Sequence, residues 1–347
     1  MDVTILGVGT FLPGEPITNK KMEELFSIRE DWIDQLIGTK TRYFAIDFSE
    51  WEVRYKLEDL CKKAALKAIE QSKLRPEDID LLVMSTATPD HLMPATVNLV
   101  ADQLGLNNVP TYEIQAGCSG ALQGIDIAYR FLKSGDFSNA LVIGGDVCNK
   151  YMDLNQDFQN LRSSELINYA LFGDGAGAVV LSTQKQSDGV KIKNIHNKFV
   201  GLNREPGQIM NWFGFIPENI SDMDKRERRK KFTSAKEDYK AIEQHVPVMS
   251  KEVIEELLLS ENLGKNEVEH YLPPQLSGNM TDKIVDFIAI DSSKAINCVR
   301  HTGNNGNGLP YIQLQDLLKK MKSGERAIGA AIESSKWIKT GISLIKD

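Results

Sequence analysis

No stretch of this 347-residue chain approaches the roughly 18 uninterrupted apolar residues that a membrane-spanning helix requires, which argues against a membrane protein. Cysteine is sparse. Cys61, Cys118, Cys148 and Cys298 are widely separated, without the close pairs of a zinc site or a dense disulfide framework, so reduced thiols and no bound metal are expected. Positive charge is in deficit, and the formal net charge of −7 speaks against general nucleic-acid binding. One local exception is the basic run Lys225-Arg226-Glu227-Arg228-Arg229-Lys230-Lys231, which follows the aromatic segment Asn211-Trp212-Phe213-Gly214-Phe215. It reads as a solvated face, with contact to an acidic carrier or phosphate as the alternative. A charged leader is also missing: Met1-Asp2-Val3-Thr4-Ile5 enters a strand directly, and a cytoplasmic location is the expectation.

What is present is enough apolar residue, 41%, to fill two core-forming units. The two halves share their punctuation. Leu74-Arg75-Pro76-Glu77-Asp78-Ile79-Asp80 closes a helical pattern ahead of the strand Leu81-Leu82-Val83-Met84. Leu263-Gly264-Lys265-Asn266-Glu267-Val268-Glu269 does the same ahead of His270-Tyr271-Leu272, 189 residues later. Ser134-Gly135 and Ser323-Gly324 are separated by the same 189 residues. A repeated offset suggests duplication, and strands alternating with helices suggest a layered α/β architecture. The expected division is 1–184 and 185–347, near the polar stretch Gln184-Lys185-Gln186-Ser187-Asp188-Gly189.

The candidate nucleophile is Cys118, in Ala116-Gly117-Cys118-Ser119-Gly120. Upstream, Pro110 to Ile114 reads as a strand; downstream, Ala121, Ile125, Ala128, Phe131 and Leu132 recur at helical spacing until Ser134-Gly135. A cysteine at such a turn faces a helix N-terminus, whose unpaired N–H groups favour the thiolate that attacks an acyl thioester. The competing reading is a buried, inert cysteine. Flanking glycines favour the reactive one, because they permit close approach of backbone and substrate.

Three motifs extend the pattern: the cysteine turn; Leu132-Lys133-Ser134-Gly135 with Ala140-Leu141-Val142-Ile143-Gly144-Gly145-Asp146; and Phe172-Gly173-Asp174-Gly175-Ala176-Gly177-Ala178. With them the chain resembles, from end to end, the thiolase-fold condensing enzymes of the ketoacyl-acyl-carrier-protein synthase III branch. The resemblance implies a thiolase-like fold of duplicated αβαβα layered halves. It implies that Cys118 accepts an acyl group and that its N–H serves the oxyanion hole. It makes the glycines of Gly173 to Gly177 a structural turn, not a phosphate cradle. Asp31-Trp32-Ile33 with Gly38 is similar to the segment at the substrate mouth, so Trp32 is expected at the substrate. His91-Leu92-Met93-Pro94 is similar to the dimer loop, which places Met93 at the end of the partner's acyl pocket. A homodimer is implied, or a heterodimer with a homologue. Acyl carrier protein or coenzyme A thioesters are the substrates, without a resident cofactor.

Several positions depart from the resembled pattern. Its Pro-His-Gln-Ala-Asn stretch falls on Pro273-Pro274-Gln275-Leu276-Ser277, so Pro274 takes the place of the catalytic histidine, and proline has no side-chain donor. The catalytic asparagine falls on Asn304 in His301-Thr302-Gly303-Asn304, with Asn305 the alternative one residue on. Leu36 stands where coenzyme A-binding members carry an adenine-clamping arginine. Ala331-Ile332-Glu333-Ser334-Ser335 replaces the glycine-rich oxyanion turn, leaving the Ser335 N–H as a candidate donor. Of the five histidines, His301 is the nearest substitute by motif; His91, His196, His245 and His270 read as structural or solvated, and Glu113 and Glu333 are candidate bases. The resulting reading is an acyltransferase or condensing enzyme of fatty-acid-like, polyketide or other secondary metabolism. Its acyl group passes from Cys118 to an acceptor that needs no enolate stabilisation: an oxygen, a nitrogen or an already activated carbon. The alternative is a non-catalytic or partner-dependent subunit of a heteromeric ketosynthase.

Overall fold

The structure, a computed structural model, describes residues 1–152, 154, 158–161, 163–184, 189–210 and 235–347. The basic run at 225–231, the aromatic segment at 211–215 and most of the polar stretch proposed as the half-boundary lie outside the described residues.

Nine strands make one mixed sheet: β1 (Val3–Phe11), β2 (Leu81–Thr86), β3 (Thr111–Gln115), β4 (Asn139–Asp146), β5 (Gly175–Ser182), β6 (Val190–Phe199), β7 (His270–Leu272), β8 (Arg326–Glu333) and β9 (Ile338–Lys346). Their spatial order is β7-β8-β9-β6-β1-β5-β4-β2-β3. Strands β2, β3 and β4 run parallel to one another, as do β7 and β8, and each group directs its carboxyl ends to one edge of its own part of the sheet. The seam between the halves is short: β1 meets β6 through Val3↔Ile192, Thr4↔Lys191 and Ile5↔Val190 alone.

Helices cover and separate the two sheet halves. Helix α1 (Leu57–Ser72) lies on β1 and β5 with Leu57, Leu60, Cys61, Ala64, Ala65, Ala68 and Ile69 buried. It lies almost directly on the strand, since a Cβ on Gly9 would come 2.2 Å from the Ala64 carbonyl oxygen. Helices α2 (Gly120–Ser134) and α5 (Leu309–Lys320) contribute Ile125, Ala128, Leu132, Tyr311, Leu314 and Leu317 to a core shared by both halves. Helices α3 (Tyr239–Ser260) and α4 (Gly278–Ile288) close the far side. The layers therefore run helix, sheet, helix, sheet, helix, the thiolase-like arrangement. Each layer follows from a one-sided apolar stripe that has to be buried.

The 189-residue offset recurs in three dimensions. It relates the 3-10 turns Pro76–Asp78 and Lys265–Glu267, the first residues of β2 and β7, and the first residues of α2 and α5. It also relates Cys118 to Asn307.

Candidate active site

The cysteine turn is built by competing local demands. Strand β3 ends at Gln115, and α2 begins at Gly120 without a side-chain cap, leaving its first N–H groups facing the turn. Gly120 N donates to the Gly117 carbonyl at 2.9 Å, so the chain reverses around Cys118 in one tight step. From the opposite half, Asn307 Nδ2 donates to the Ala116 carbonyl at 2.8 Å and to Asp146 Oδ2 at 2.9 Å. Asp146 is buried and also accepts from Thr86 Oγ1, Ala87 N, Thr88 Oγ1 and Asn307 N at 2.8–3.0 Å. This hub pins the turn to two strands and to the start of α5. Asp146 and Asn307 carry no signal in the sequence beyond the strand motif and the 189-residue offset.

Cys118 shares one narrow cavity with Pro274, Gln275, Asn304, Gly306, Gln313 and the Ala330–Ile332 stretch of β8. The cavity measures about 20 Å³, room for a single water. Burial, then the nearby Glu333, Glu237 and Asp146, push the Cys118 thiol up, against the favourable field of the helix start. The surroundings thus favour the thiol over the thiolate.

Asn304 is held by its backbone: its N–H donates to the Leu171 carbonyl at 3.0 Å, and its carbonyl accepts from Gly173 N at 3.0 Å. The glycine motif is the other side of that clamp. Its Asp174 accepts from Ala45 N at 2.6 Å and from Asn149, which ties three segments beneath the site. The Asn304 side-chain oxygen accepts from Gly306 N at 3.1 Å, fixing the amide beside the cavity. Asn305, the alternative register, is fully buried next to Gly175, and its Nδ2 donates to the Thr302 carbonyl at 3.4 Å. Across the cavity, Gln275 Oε1 accepts from Cys298 N and Val299 N, while Gln313 Nε2 donates to the Pro273 and Ile296 carbonyls at 3.0 Å. These bonds hold Pro274 against the cavity. Ser277 is the N-cap of α4, accepting from Met280 N at 3.2 Å.

None of the five histidines lines the cavity. His301 is exposed, His270 bonds Glu325 at 2.8 Å, His196 lies beside Glu256, His245 packs edge-on against Trp337, and His91 is on the exposed loop. Glu113 caps the helix Thr96–Leu104 through the Val97 N–H at 2.8 Å and does not reach the cavity lining. The Ser335 N–H, expected as an oxyanion donor, is instead committed to Glu333 Oε1 at 3.2 Å. The physical reason is the neighbouring Glu333, whose carboxylate brings its own acceptor into the turn.

Trp32 lies on the short helix Glu30–Leu36 and packs half-buried into the cluster around Met22, Phe26 and Ile33, away from the cavity lining. Its segment docks on the second half, where Asn279 N donates to the Ile37 carbonyl and Arg300 Nη1 to the Gly38 carbonyl, both at 3.0 Å. Met93 is 88% exposed beside the exposed Leu92. Among the described residues no group of His, Cys, Asp and Glu is arranged to hold a metal, and no helix is long and apolar enough to cross a membrane.

A five-layered duplicated fold with a cysteine at a strand-to-helix turn defines a thiolase-fold condensing enzyme. Residues 112–198 match the family described as 3-oxoacyl-[acyl-carrier-protein (ACP)] synthase III. The beta-ketoacyl-[acyl-carrier-protein] synthase III of Clostridium perfringens is 28% identical over 326 residues, 93% of either chain; that of Clostridioides difficile is 41% identical over 194 residues, 53% of this chain and 55% of the other. Among solved structures, AbyA1, a tetronic acid condensing enzyme, superposes with a TM-score of 0.91 at 41% identity over 99% of both chains. The Aquifex aeolicus 3-oxoacyl-[acyl-carrier-protein] synthase III shares the fold, with a TM-score of 0.80 at 24% identity and 99% coverage of both chains. The chain belongs to the 3-oxoacyl-acyl-carrier-protein synthase III family. It is a condensing acyltransferase of fatty-acid or secondary metabolism, in a family that acts on acyl-carrier-protein or acyl-coenzyme A thioesters.

Proposed function

We propose that Cys118 takes an acyl group from a carrier thioester and that the chain joins it to a second acyl thioester by a ring-forming condensation that needs no decarboxylation. The observation that carries this reading is the cavity itself, where the thiol faces Asn304 and Pro274 and no histidine, in a chain 41% identical to a tetronic acid condensing enzyme. In the first half-reaction the Cys118 sulfur bonds the acyl carbon, the carrier thiolate leaves, and it takes up the proton that Cys118 gave. A tetronate ring then requires one new carbon–carbon and one new carbon–oxygen bond, with release of two thiols. A 3-oxoacyl group supplies a methylene already acidified by two carbonyls, and a hydroxyacyl group supplies the oxygen. Neither demands the enolate-stabilising pair used on malonyl extenders. The Asn304 amide and the Cys118 N–H are the proposed donors to the developing oxyanion.

A cytoplasmic homodimer with acyl carrier protein as partner completes the proposal, supported by the exposure of Leu92 and Met93 on one loop. Intact-protein mass spectrometry after incubation with a panel of acyl thioesters is the test. Wild-type protein should gain one acyl mass on Cys118 and lose it when a hydroxyacyl-carrier thioester is added, with a cyclised product of both groups. No acyl mass with any donor overturns the enzyme reading.

A further inference from the structure

The resembled turn at the end of β8 is glycine-rich, and here it places a carboxylate against the nucleophile. Glu333 is 2% exposed. Its Oε2 accepts from Ser119 N at 3.4 Å and its Oε1 from Ser335 N at 3.2 Å, with the Gly117 N–H and the Ser335 hydroxyl also directed at it. Gly117 and Ser119 are the residues on either side of Cys118, and a Cβ on Gly117 would come 2.9 Å from both Glu333 oxygens. Burial pushes the Glu333 carboxyl up from the ordinary glutamate range, and the donors from Ser335, Ser119 and Gly117 work against that by favouring the ionised form. The charges that act most strongly on Cys118 are Glu333, Glu237 and Asp146, all carboxyl groups. No residue lining the cavity is cationic.

We propose that Glu333 is a specificity-determining residue that makes the Cys118 cavity reject acyl thioesters bearing a free carboxylate and admit their neutral counterparts. The inference rests on the condensing reading above and deepens it by naming the acceptor class: uncharged 3-oxoacyl or hydroxyacyl thioesters, and not malonyl extenders. Two negative charges about 6 Å apart at an effective dielectric of about 20 repel enough to weaken binding by about a hundredfold. The N–H groups of Gly117, Ser119 and Ser335 are already turned to Glu333 and are not free to receive a substrate carboxylate.

The test uses malonyl-coenzyme A and acetoacetyl-coenzyme A, which differ by a methyl group in place of the charged oxygen. Cys118 is loaded with a hexanoyl N-acetylcysteamine thioester, and each coenzyme A ester is titrated as a competitor of loading. For the wild type, half-inhibition should require at least tenfold more malonyl than acetoacetyl ester. In E333Q, which keeps the side-chain shape, that ratio should fall to within about threefold, while E333D should retain it. Equal competition by the two esters in the wild type overturns the proposal even if E333Q does not fold, and an unchanged ratio in folded E333Q removes Glu333 as its cause. If neither the hexanoyl thioester nor any other acyl thioester loads the wild type, it is the condensing reading that fails.

Discussion

The turn that carries Cys118 and the loop that carries Pro274 face each other across one cavity, and both are rigid, but they are rigid for different chemistry. The first is fixed by the Asp146–Asn307 hub and ends at an uncapped helix start, the arrangement expected of an acyl-accepting cysteine. The second is fixed by Gln275 and Gln313, which spend their side chains on backbone and leave a proline lining the cavity. The lesson is that the two walls of one cavity are held by separate scaffolds, so that either can be changed without unlocking the other.

The largest expected effect breaks the first side alone. Cys118→Ala should abolish both acyl loading and turnover while the melting temperature stays within a few degrees, because only one sulfur leaves a small cavity; intact mass and thermal unfolding measure the two. Asp146→Ala strikes the support of the same turn. It strands five donors, each costing on the order of 1–3 kcal/mol when buried without a partner, so a loss of about 4 kcal/mol or more is expected. Chemical denaturation reads that loss, and it is a large part of the 5–15 kcal/mol typical of a folded domain.

Changes on the other side should spare loading. Asn304→Ala is expected to slow product release from preloaded enzyme by about a hundredfold, the scale of one lost oxyanion donor, with loading slowed less than threefold. Single-turnover quench experiments separate the steps; equal slowing of both would mean that the two sides are not separable. Gln313→Ala should cost about 1–3 kcal/mol by leaving the Pro273 and Ile296 carbonyls with one donor fewer, again with loading intact.

The last effect concerns pH. Burial pushes the Asp174 carboxyl, which stitches the glycine motif to the Asn149 segment, up to about 7. Its folded pKa is raised, so the native state keeps a proton between about pH 4 and 7 that the unfolded chain has released. Stability therefore declines with rising pH across that window, by at most about 1.4 kcal/mol per unit for this group. Asp174→Asn should flatten the slope of unfolding free energy between pH 5 and 7; an unchanged slope would assign it to other groups, such as Glu237, also raised to about 7 by burial.

Much of the fold was legible in order along the chain because its signals are local. The strand of β3 and the stripe of α2 were both expected from periodicity, and α2 stops where Gly135 adopts a positive φ. Phe131, on the same stripe, stacks on Tyr112 at 5.4 Å instead of entering the core, a distinction that periodicity cannot draw. The 189-residue offset foreshadowed the pairing of α2 with α5. The site was legible only where a motif is short and contiguous, as around Cys118.

The sequence by itself determined that a cysteine stands at the start of a buried amphipathic helix. Only the tertiary structure decided which of two asparagines reaches the cavity, that the Ser335 N–H is already taken by Glu333, and that Asn307 locks the cysteine turn from the opposite half. The physical reason is distance along the chain. Asn307 and Ala116 are 191 residues apart, and Glu333 and Ser119 are 214 apart. Propensity and spacing act over a few residues, whereas a hydrogen bond between such partners exists only after the sheets and helices have packed.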